Sequence, residues 1–316
     1  MRALPLLLWL VSTLAGAQSY PAKPVRMILP FAAGGSTDFT ARALAQRLTE
    51  QWGHPVVTEN HTGAGGNVGL EAGAKAPPDG YTLIFTAPAI AVSPALYARL
   101  NYDPIRDFAP VSLVAAIQNV LVTHNSVPVR SLRELIELAR AQPGKLNFAS
   151  NGPGSTNHLA GELLKSRFKL NMTHVPYKGS APQVVALLSG EVDMGVMAVT
   201  TAIPMVRAKR LRALAVLATQ RVAVLPDVPT STESGVDDYV VPFWTGVLSP
   251  AATPRETVQF VNSEIHKAMQ SPDLKKRLGD SGVEAFLSTP ERFGEFIKTE
   301  TARYGKVVRD AWIRAE

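Results

Sequence analysis

Cysteine is absent from the 316-residue chain. The absence excludes disulfide bonds, thiol nucleophiles, Cys-x-x-Cys redox sites and thiolate metal sites. In an oxidising compartment such a chain must be stabilised by its core rather than by disulfides, and a chain of this length can bury enough apolar surface to do so.

Long apolar runs are absent as well. The one marked run, residues 4–11, is far shorter than the roughly 20 apolar residues that a membrane-spanning helix needs. It follows Arg2 and precedes Ala15-Gly16-Ala17, a pattern typical of a secretory signal peptide that is cleaved after Ala17. A retained membrane anchor or a short N-terminal core helix are the alternatives. Cleavage would leave a soluble periplasmic protein, residues 18–316, long enough for two ordinary domains.

Charge is spread rather than concentrated. The formal net charge is +6, and the densest basic groups lie at residues 207–212 and 275–277. Aromatic residues do not alternate with these cations, so the pattern favours solvated surface and predicts no nucleic-acid partner. A mild positive field could still raise the capture rate of anionic ligands.

Catalytic and cofactor motifs are also missing. The stretch Gly63–Gly69 approaches a dinucleotide fingerprint, but Val68 stands where the third glycine should be. The phosphate-loop lysine motif and the Gly-x-Ser-x-Gly elbow are absent, and Ser166–Lys169 matches Ser-x-x-Lys only in the middle of a predicted helix, without companion motifs. The six histidines lack zinc-binding spacings. We therefore predict no catalytic residue, no metal and no cofactor.

Strand-like and helix-like segments alternate along the chain. Strands are predicted at residues 25–30, 55–59, 81–86, 146–150, 172–177, 192–196 and 211–216, and an extended segment at 239–248. Helical patterns separate most of these strands, and the end of the chain is helical. The alternation predicts an α/β fold with mainly parallel sheets that are covered by helices on both faces.

Helix boundaries can be placed from capping patterns. Ser36 or Thr37 is the predicted N-cap of the first helix, which ends at Gly53. Residues 131–134, Ser-Leu-Arg-Glu, form a capping box, and Thr289-Pro290-Glu291 predicts the start of a C-terminal helix.

Two loops share one design, in which a strand is followed by glycines, then hydroxyl residues, then a helix. They are residues 31–38 and 150–156. A helix N-terminus leaves backbone N–H groups unpaired and carries about half a positive charge, so such a turn can bind an anion. The alternative is that both are simply well-capped turns between a strand and a helix.

An ordered set of motifs resembles the Bug receptors, the extracytoplasmic solute receptors of tripartite tricarboxylate transporters. The set spans the predicted mature chain: Tyr20-Pro21-x-Lys23-Pro24-Val25-Arg26, Pro30-Phe31-x-Ala33-Gly34-Gly35-x-x-Asp38, Gly63-Ala64-Gly65-Gly66-Asn67-x-Gly69, Pro78-Asp79-Gly80-Tyr81-Thr82-Leu83, Ser93-Pro94-x-Leu96-Tyr97, Gly152-x-Gly154-Ser155-x-x-His158-Leu159-x-Gly161-Glu162, Val175-Pro176-Tyr177-Lys178-Gly179, Gly190-Glu191-Val192-Asp193, Trp244-x-Gly246 and Thr253-Pro254.

The resemblance implies a two-lobed periplasmic-binding-protein fold, the Venus flytrap. Lobe 1 would comprise residues 18–122 and 243–316, and lobe 2 residues 123–242. The chain would act as a monomer that binds a small organic acid, with the membrane permease subunits of a tripartite transporter as partners. The implied ligand-binding residues are Phe31, Gly34, Gly35, Ser36, Thr37, Asp38 and Ala87 from lobe 1, and Ser150, Asn151, Gly154, Ser155, Thr156 and His158 from lobe 2.

Several alternatives remain open at this stage. The receptor could present its ligand to a periplasmic sensor instead of a permease, whereas a hydrolase or dehydrogenase would need motifs that are absent. Dicarboxylates, citrate-like acids, aromatic acids and acidic amino acids all fit as ligands. His158 could cap, pack or contact the ligand. Because neither loop contains Lys or Arg, we expect a ligand carboxylate to be bound without an ion pair from these loops, and Lys178 is the first cation to test against that expectation.

The signal-peptide prediction can be checked directly. The intact mass of the secreted protein should correspond to a chain that begins at Gln18, because the small residues before it form the cleavage site. Uncleaved protein in the membrane fraction would contradict this prediction.

Overall fold

The computed structural model describes residues 20–310 and residue 313. The predicted signal peptide and its cleavage site lie outside these residues. Within them, the helices are α1 Ser36–Trp52, α2 Asn67–Ala74, α3 Ala89–Leu96, α4 Leu132–Ala141, α5 Thr156–Phe168, α6 Ser180–Ser189, α7 Val199–Arg207, α8 Arg255–Gln270, α9 Pro272–Gly279 and α10 Pro290–Asp310. Measured over this described part, every helix is too short or too polar to cross a membrane.

Most strands lie where the sequence predicts them, whereas those over residues 108–124 and 283–285 were not predicted. The strands are β1 Val25–Leu29, β2 Val56–Asn60, β3 Thr82–Thr86, β4 Phe108–Ile117, β5 Asn119–His124, β6 Asn147–Ser150, β7 Thr173–Pro176, β8 Met194–Ala198, β9 Leu211–Val216, β10 Phe243–Pro250 and β11 Val283–Ala285.

The first sheet has six strands in the order β11-β4-β10-β3-β1-β2. Strand β1 pairs in parallel with β2 and β3, whereas β10 pairs antiparallel with β3 and β4. β1, β2, β3 and β4 therefore run in one direction, and only β10 and β11 run in the other.

The second sheet has five strands in the order β7-β6-β8-β5-β9. Strand β6 pairs in parallel with β7 and β8, and β5 pairs antiparallel with β8 and β9. Both sheets are mixed, although most strands of each sheet run in one direction. The strand at which the chain enters the second lobe, β5, and the strand at which it returns to the first lobe, β10, each lie antiparallel to both of their neighbours. The predicted two-lobed α/β fold is confirmed with this refinement.

The chain passes between the two sheets at Gln118, because β4 ends at Ile117 and β5 begins at Asn119. The predicted boundary after residue 122 thus falls inside a strand that pairs wholly within the second sheet. The return passes Pro242. Val241 still donates its N–H to Leu217 and accepts from the Asn119 side chain, whereas Phe243 begins β10.

Local capping explains several helix boundaries and corrects one. Ser131 caps α4, since its hydroxyl accepts the Glu134 N–H at 3.1 Å. Helix α1 is capped differently from the prediction: Gly35 is the N-cap, and Ser36 already lies in the first turn. No side chain caps α1; the Asp38 carboxylate in its first turn instead accepts the Gly34 N–H at 3.1 Å and so fixes the loop before the helix.

Two histidines, one buried and one half-buried, form a stack in the second lobe. The rings of His158 on α5 and His174 on β7 lie 4.0 Å apart, and Phe148 on β6 stacks on His174 at 4.8 Å. The His158 Nδ1 accepts the Gly154 N–H at 3.1 Å, and the His174 Nε2 lies 2.7 Å from the Ser150 hydroxyl. The stack therefore supports both ends of the loop between β6 and α5.

Burial favours the neutral form of both rings. Together with the charges of His174 and Lys165, it lowers the pKa of His158 to about 3, and burial with the charge of Lys165 lowers the pKa of His174 to about 4. As the pH falls, a histidine whose pKa is lower in the folded state is protonated at a higher pH in the unfolded chain than in the folded one. Its contribution to stability is complete above about pH 6.5 and is lost as the pH falls from there towards the folded-state pKa.

We therefore expect the free energy of unfolding to fall between about pH 6.5 and pH 4, by up to about 1.4 kcal/mol per pH unit for each proton taken up. Urea titrations at several pH values would measure the slope. The double variant His158→Gln, His174→Gln should show a shallower slope, although it is less stable at neutral pH. His54→Gln, which changes a histidine outside the stack, is the control, and an unchanged slope in the double variant would contradict the assignment.

Candidate functional site

A cavity of about 610 Å³ opens where loops of the two sheets face each other. Its lining comes from loops that follow β1, β2 and β3 in the first sheet and β6 and β7 in the second. Phe243 joins them because β10 runs antiparallel to β3, with Gly246 opposite Thr86, so the start of β10 lies beyond the end of β3. The site thus occupies the carboxyl ends of the parallel strands, where α/β sheets usually bind ligands.

Four helices begin at this cavity. Ser36 opens α1 and Ala89 opens α3 in the first lobe, whereas Thr156 opens α5 and Ser180 opens α6 in the second, and all four residues line the cavity. Each N-terminus carries a partial positive charge, and in α3 the Ile90 and Ala91 N–H groups already donate to the Ala87 and Pro88 carbonyls. The arrangement favours an anion from both sides of the cleft.

Asp38 fixes the first-lobe loop from behind. Its carboxylate accepts from Gly34 N–H, from Arg42 Nε at 2.9 Å and from Asn60 Nδ2 at 3.0 Å, and the Asn60 amide also donates to the Phe31 carbonyl at 2.8 Å. Burial alone would raise the pKa of Asp38, but these hydrogen bonds outweigh it and the pKa is lowered. Asp38 is therefore an ionised anchor that shapes the loop, and it does not line the cavity.

Ser155 stabilises the second-lobe loop in a similar way. Its hydroxyl accepts the His158 N–H at 3.1 Å as the N-cap of α5 and donates to the Gly152 carbonyl at 2.7 Å. Ser150 lies deeper, fully buried, with its hydroxyl beside His174 and Gly152. These hydroxyls hold the loop in shape.

Three other hydroxyl groups at the cavity have free hydrogen-bonding capacity. Within the described residues, Ser36 and Thr37 make no side-chain hydrogen bond, and Thr156 has only a 3.5 Å contact with Asn157. All three line the cavity and are less than a tenth exposed. They remain available to a ligand, in contrast to Ser155.

The sequence-predicted residues divide into two groups. Those that line the cavity are Phe31, Gly35, Ser36, Thr37, Ala87, Asn151, Ser155 and Thr156. Those that lie behind it are Gly34, Asp38, Ser150, Gly154 and His158. For the second group the hydrogen bonds give the reason, since these residues bind one another or the neighbouring backbone. His158 is a buried packing and loop-supporting residue.

The prediction missed several lining residues. They are Pro30, Ala32, Thr62, Gly63, Ala64, Gly65, Gly66, Pro88, Ala89, Tyr97, Gly152, Pro153, Tyr177, Gly179, Ser180 and Phe243, together with Lys178, which had been singled out only as a cation to test. The segment Thr62–Gly66 follows β2, so its position after a strand parallel to β1 was the signal that could have found it. Phe243 could not be found in that way, because its place depends on the antiparallel return strand.

Aromatic rings give the cavity an apolar wall. Phe31, Tyr97, Tyr177 and Phe243 line it, and the Tyr177 hydroxyl donates to Glu191 at 2.8 Å. Burial and this carboxylate raise the pKa of Tyr177 to about 12. The cavity therefore combines anion-binding helix ends with an apolar body, as an organic acid requires.

The two lobes touch at the rim of the cavity. A Cβ atom added at Gly154 would lie 2.4 Å from Leu96 Cδ2, and one added at Gly179 would lie 3.3 Å from the Ala32 Cβ. Gly154 (φ +75°) and Gly179 (φ +108°) adopt backbone conformations that L side chains rarely take. The loops of opposite lobes therefore approach closely at positions where no side chain intervenes.

Comparison with known proteins agrees with this geometry. Residues 40–312 match the family model described as "Tripartite tricarboxylate transporter family receptor". The chain is 38% identical to protein BugT of Bordetella pertussis over 296 residues, which cover 93% of this chain and 91% of BugT.

Solved structures give the same result. A protein from R. palustris that was solved with adipate is 36% identical, with a TM-score of 0.89 over 93% of this chain and 99% of that one. MatC from Rhodopseudomonas palustris, solved with bound malate, is 32% identical, with a TM-score of 0.86 over 92% of this chain and 100% of MatC. On this evidence the chain belongs to the tripartite tricarboxylate transporter receptor family, whose members are solute-binding receptors.

Proposed function

We propose that this protein binds a small carboxylate, a dicarboxylate or an aromatic acid, in the cavity between its lobes and delivers it to the membrane subunits of a tripartite transporter. The observation that carries the proposal is the convergence of four helix N-termini, two from each lobe, on one cavity with an aromatic wall. The similar proteins solved with adipate and malate support a carboxylate ligand.

The protein acts as a monomeric periplasmic receptor and not as an enzyme. Family membership and the N-terminal signal-peptide pattern support export. The described lining residues include no histidine, aspartate or glutamate, so they offer no pair of nucleophile and base within reach of a bound acid.

The lobes close around the ligand. Lobe 1 comprises residues 20–117 and 243–310, and lobe 2 residues 119–241, with Gln118 and Pro242 as the crossing points. Because the cavity takes N–H donors and hydroxyls from both lobes, a bound acid makes more contacts in the closed state and so favours closure.

A carboxylate screen identifies the probe for all binding tests. Adipate, malate and aromatic acids are added to the purified protein, and thermal unfolding is followed. An acid at 100 times its dissociation constant should raise the stability by about 2.7 kcal/mol. If no carboxylate in the screen raises the unfolding temperature, the proposed function is wrong.

Hydroxyl deletions should separate binding from capping. Ser36→Ala and Thr156→Val should each weaken binding of the best acid by about 0.5–1.5 kcal/mol, because their hydroxyls are free to reach the ligand. Calorimetric titration measures this loss, and the unfolding temperature of the unliganded protein should hardly change.

Ser155→Ala is the matched comparison. Since Ser155 caps α5, this variant should lose about 1 kcal/mol of stability without ligand, in addition to any loss of affinity. If Ser36→Ala and Thr156→Val bind the acid as well as the unaltered protein does, these hydroxyls are not ligand contacts.

A side chain at Gly154 should hold the lobes apart. Gly154→Ala places a methyl group against Leu96 across the cleft, so the variant should remain expanded in the presence of the acid and bind it more weakly. Small-angle scattering with and without ligand measures the change in radius of gyration, which should decrease for the unaltered protein.

The control for Gly154→Ala separates the clash from the backbone strain, since an L residue at this positive φ is strained by itself. Adding Leu96→Ala to Gly154→Ala removes the clash but leaves the strain, and Leu96→Ala alone reports the loss of packing. The double variant should recover compaction on binding. Equal scattering responses of the single and double variants would show that the contact does not control closure.

A further inference from the structure

We infer that Lys178 determines specificity by reading the number of charges on the ligand, so that a dicarboxylate is bound in preference to a monocarboxylate of the same size. The inference rests on the proposed function. It starts from the observation that Lys178 is the one charged residue among the described residues that line the cavity.

The position of Lys178 is set by the turn between β7 and α6. The next residue, Gly179, has φ +108°, and a Cβ atom added there would lie 3.3 Å from the Ala32 Cβ of the opposite lobe. The Ser180 hydroxyl lies 3.5 Å from the place where a Cβ of Gly35 would stand. The turn that carries Lys178 therefore meets the anion-binding loop of lobe 1 when the lobes are together.

The charge of Lys178 is not neutralised by the protein. Within residues 20–310, no carboxylate pairs with it and no hydrogen bond holds its ammonium group. The acids nearest in sequence or structure to the site have other partners: Asp38 binds Arg42, and Glu191 accepts from Tyr177. Lys178 is exposed and is one of the residues that line the cavity.

The distribution of positive charge around the cavity favours a ligand with two negative charges. The N-termini of α1 and α3 attract negative charge on one side of the cleft, and those of α5 and α6 on the other. A single carboxylate can offset only one of these regions and would leave the other region and Lys178 unmatched. Two carboxylates, or one body that carries two charges, can offset both.

The chemistry of lysine suits the recognition of a second carboxylate. Its ammonium is a compact charge on a flexible stem, which can follow second carboxylates at different distances along ligands of different length. Because lobe 2 supplies it, the contact forms when the cleft closes, and its loss should appear mainly as faster dissociation.

The test varies the charge of the ligand and the charge of residue 178 independently. Adipate is paired with hexanoate, and terephthalate with 4-methylbenzoate, so that each pair keeps its size and differs by one carboxylate. Calorimetric titration of the unaltered protein, Lys178→Met and Lys178→Arg gives the ratio of dissociation constants within each pair. Stopped-flow measurements give the dissociation rates.

We expect Lys178→Met to weaken binding of the dicarboxylate by about 10-fold or more and that of its monocarboxylate partner by less than about threefold, as for loss of a charge-assisted hydrogen bond. Lys178→Arg should keep most of the preference, and added salt should reduce it in the unaltered protein but not in Lys178→Met. Lys145→Met, an exposed lysine of lobe 2 outside the cavity, should leave all ratios unchanged.

The outcomes separate the inference from the proposed function. If acids bind but Lys178→Met changes both members of a pair equally, or neither, Lys178 does not read ligand charge, although the receptor function stands. A preference of the unaltered protein for the monocarboxylates overturns the inference in the same way. If no acid of either pair and none in the carboxylate screen binds, the proposed function itself is overturned.

Discussion

The structure depends on one property of the peptide chain: a helix that follows a parallel strand begins at the carboxyl edge of the sheet. In the first lobe this places the starts of α1 and α3 side by side, because β1 and β3 are neighbours in the sheet. In the second lobe the pairing of β6 with β7 does the same for α5 and α6. Where the two edges face each other, the helix N-termini alone already favour an anion, before any side chain is counted.

Side chains around the site serve mainly to shape this backbone. Asp38 ties the first loop to Arg42 and Asn60, and the His158–His174 stack supports the second loop from below. A polar residue near the cleft is therefore weak evidence of ligand contact. The informative observation is a side chain that lines the cavity and has unused hydrogen-bonding capacity, such as Ser36 or Thr156.

Much of this architecture could be predicted from local patterns, and the remainder could not, for physical reasons. Ser131 and Glu134 lie three residues apart and cap α4 whatever surrounds them, so their role was predictable. The cap of α1 was predicted wrongly because the helix begins one residue earlier than the pattern indicates, so Ser36 and Thr37 lie in its first turn and Gly35 takes the N-cap position.

Non-local geometry accounts for the other differences. His158 could not be assigned before His174, distant in sequence, was known to stack on it, and Phe243 reaches the site only through the antiparallel return of β10. The crossing between lobes at Gln118 lies between two strands that are one residue apart, and only strand pairing shows that β5 belongs to the second sheet.

The same helix ends give a physical reason for the proposed coupling of closure and binding. When the cleft closes without an anion, the partial positive charges of α1 and α3 approach those of α5 and α6, and the like charges repel. Lys178 adds a full charge to the lobe-2 side. An anion between the lobes converts this repulsion into attraction on both sides, so it lowers the free energy of the closed state more than that of the open one. A receptor that binds charge in this way can remain open when empty and close when loaded, with the ligand itself supplying the missing charge.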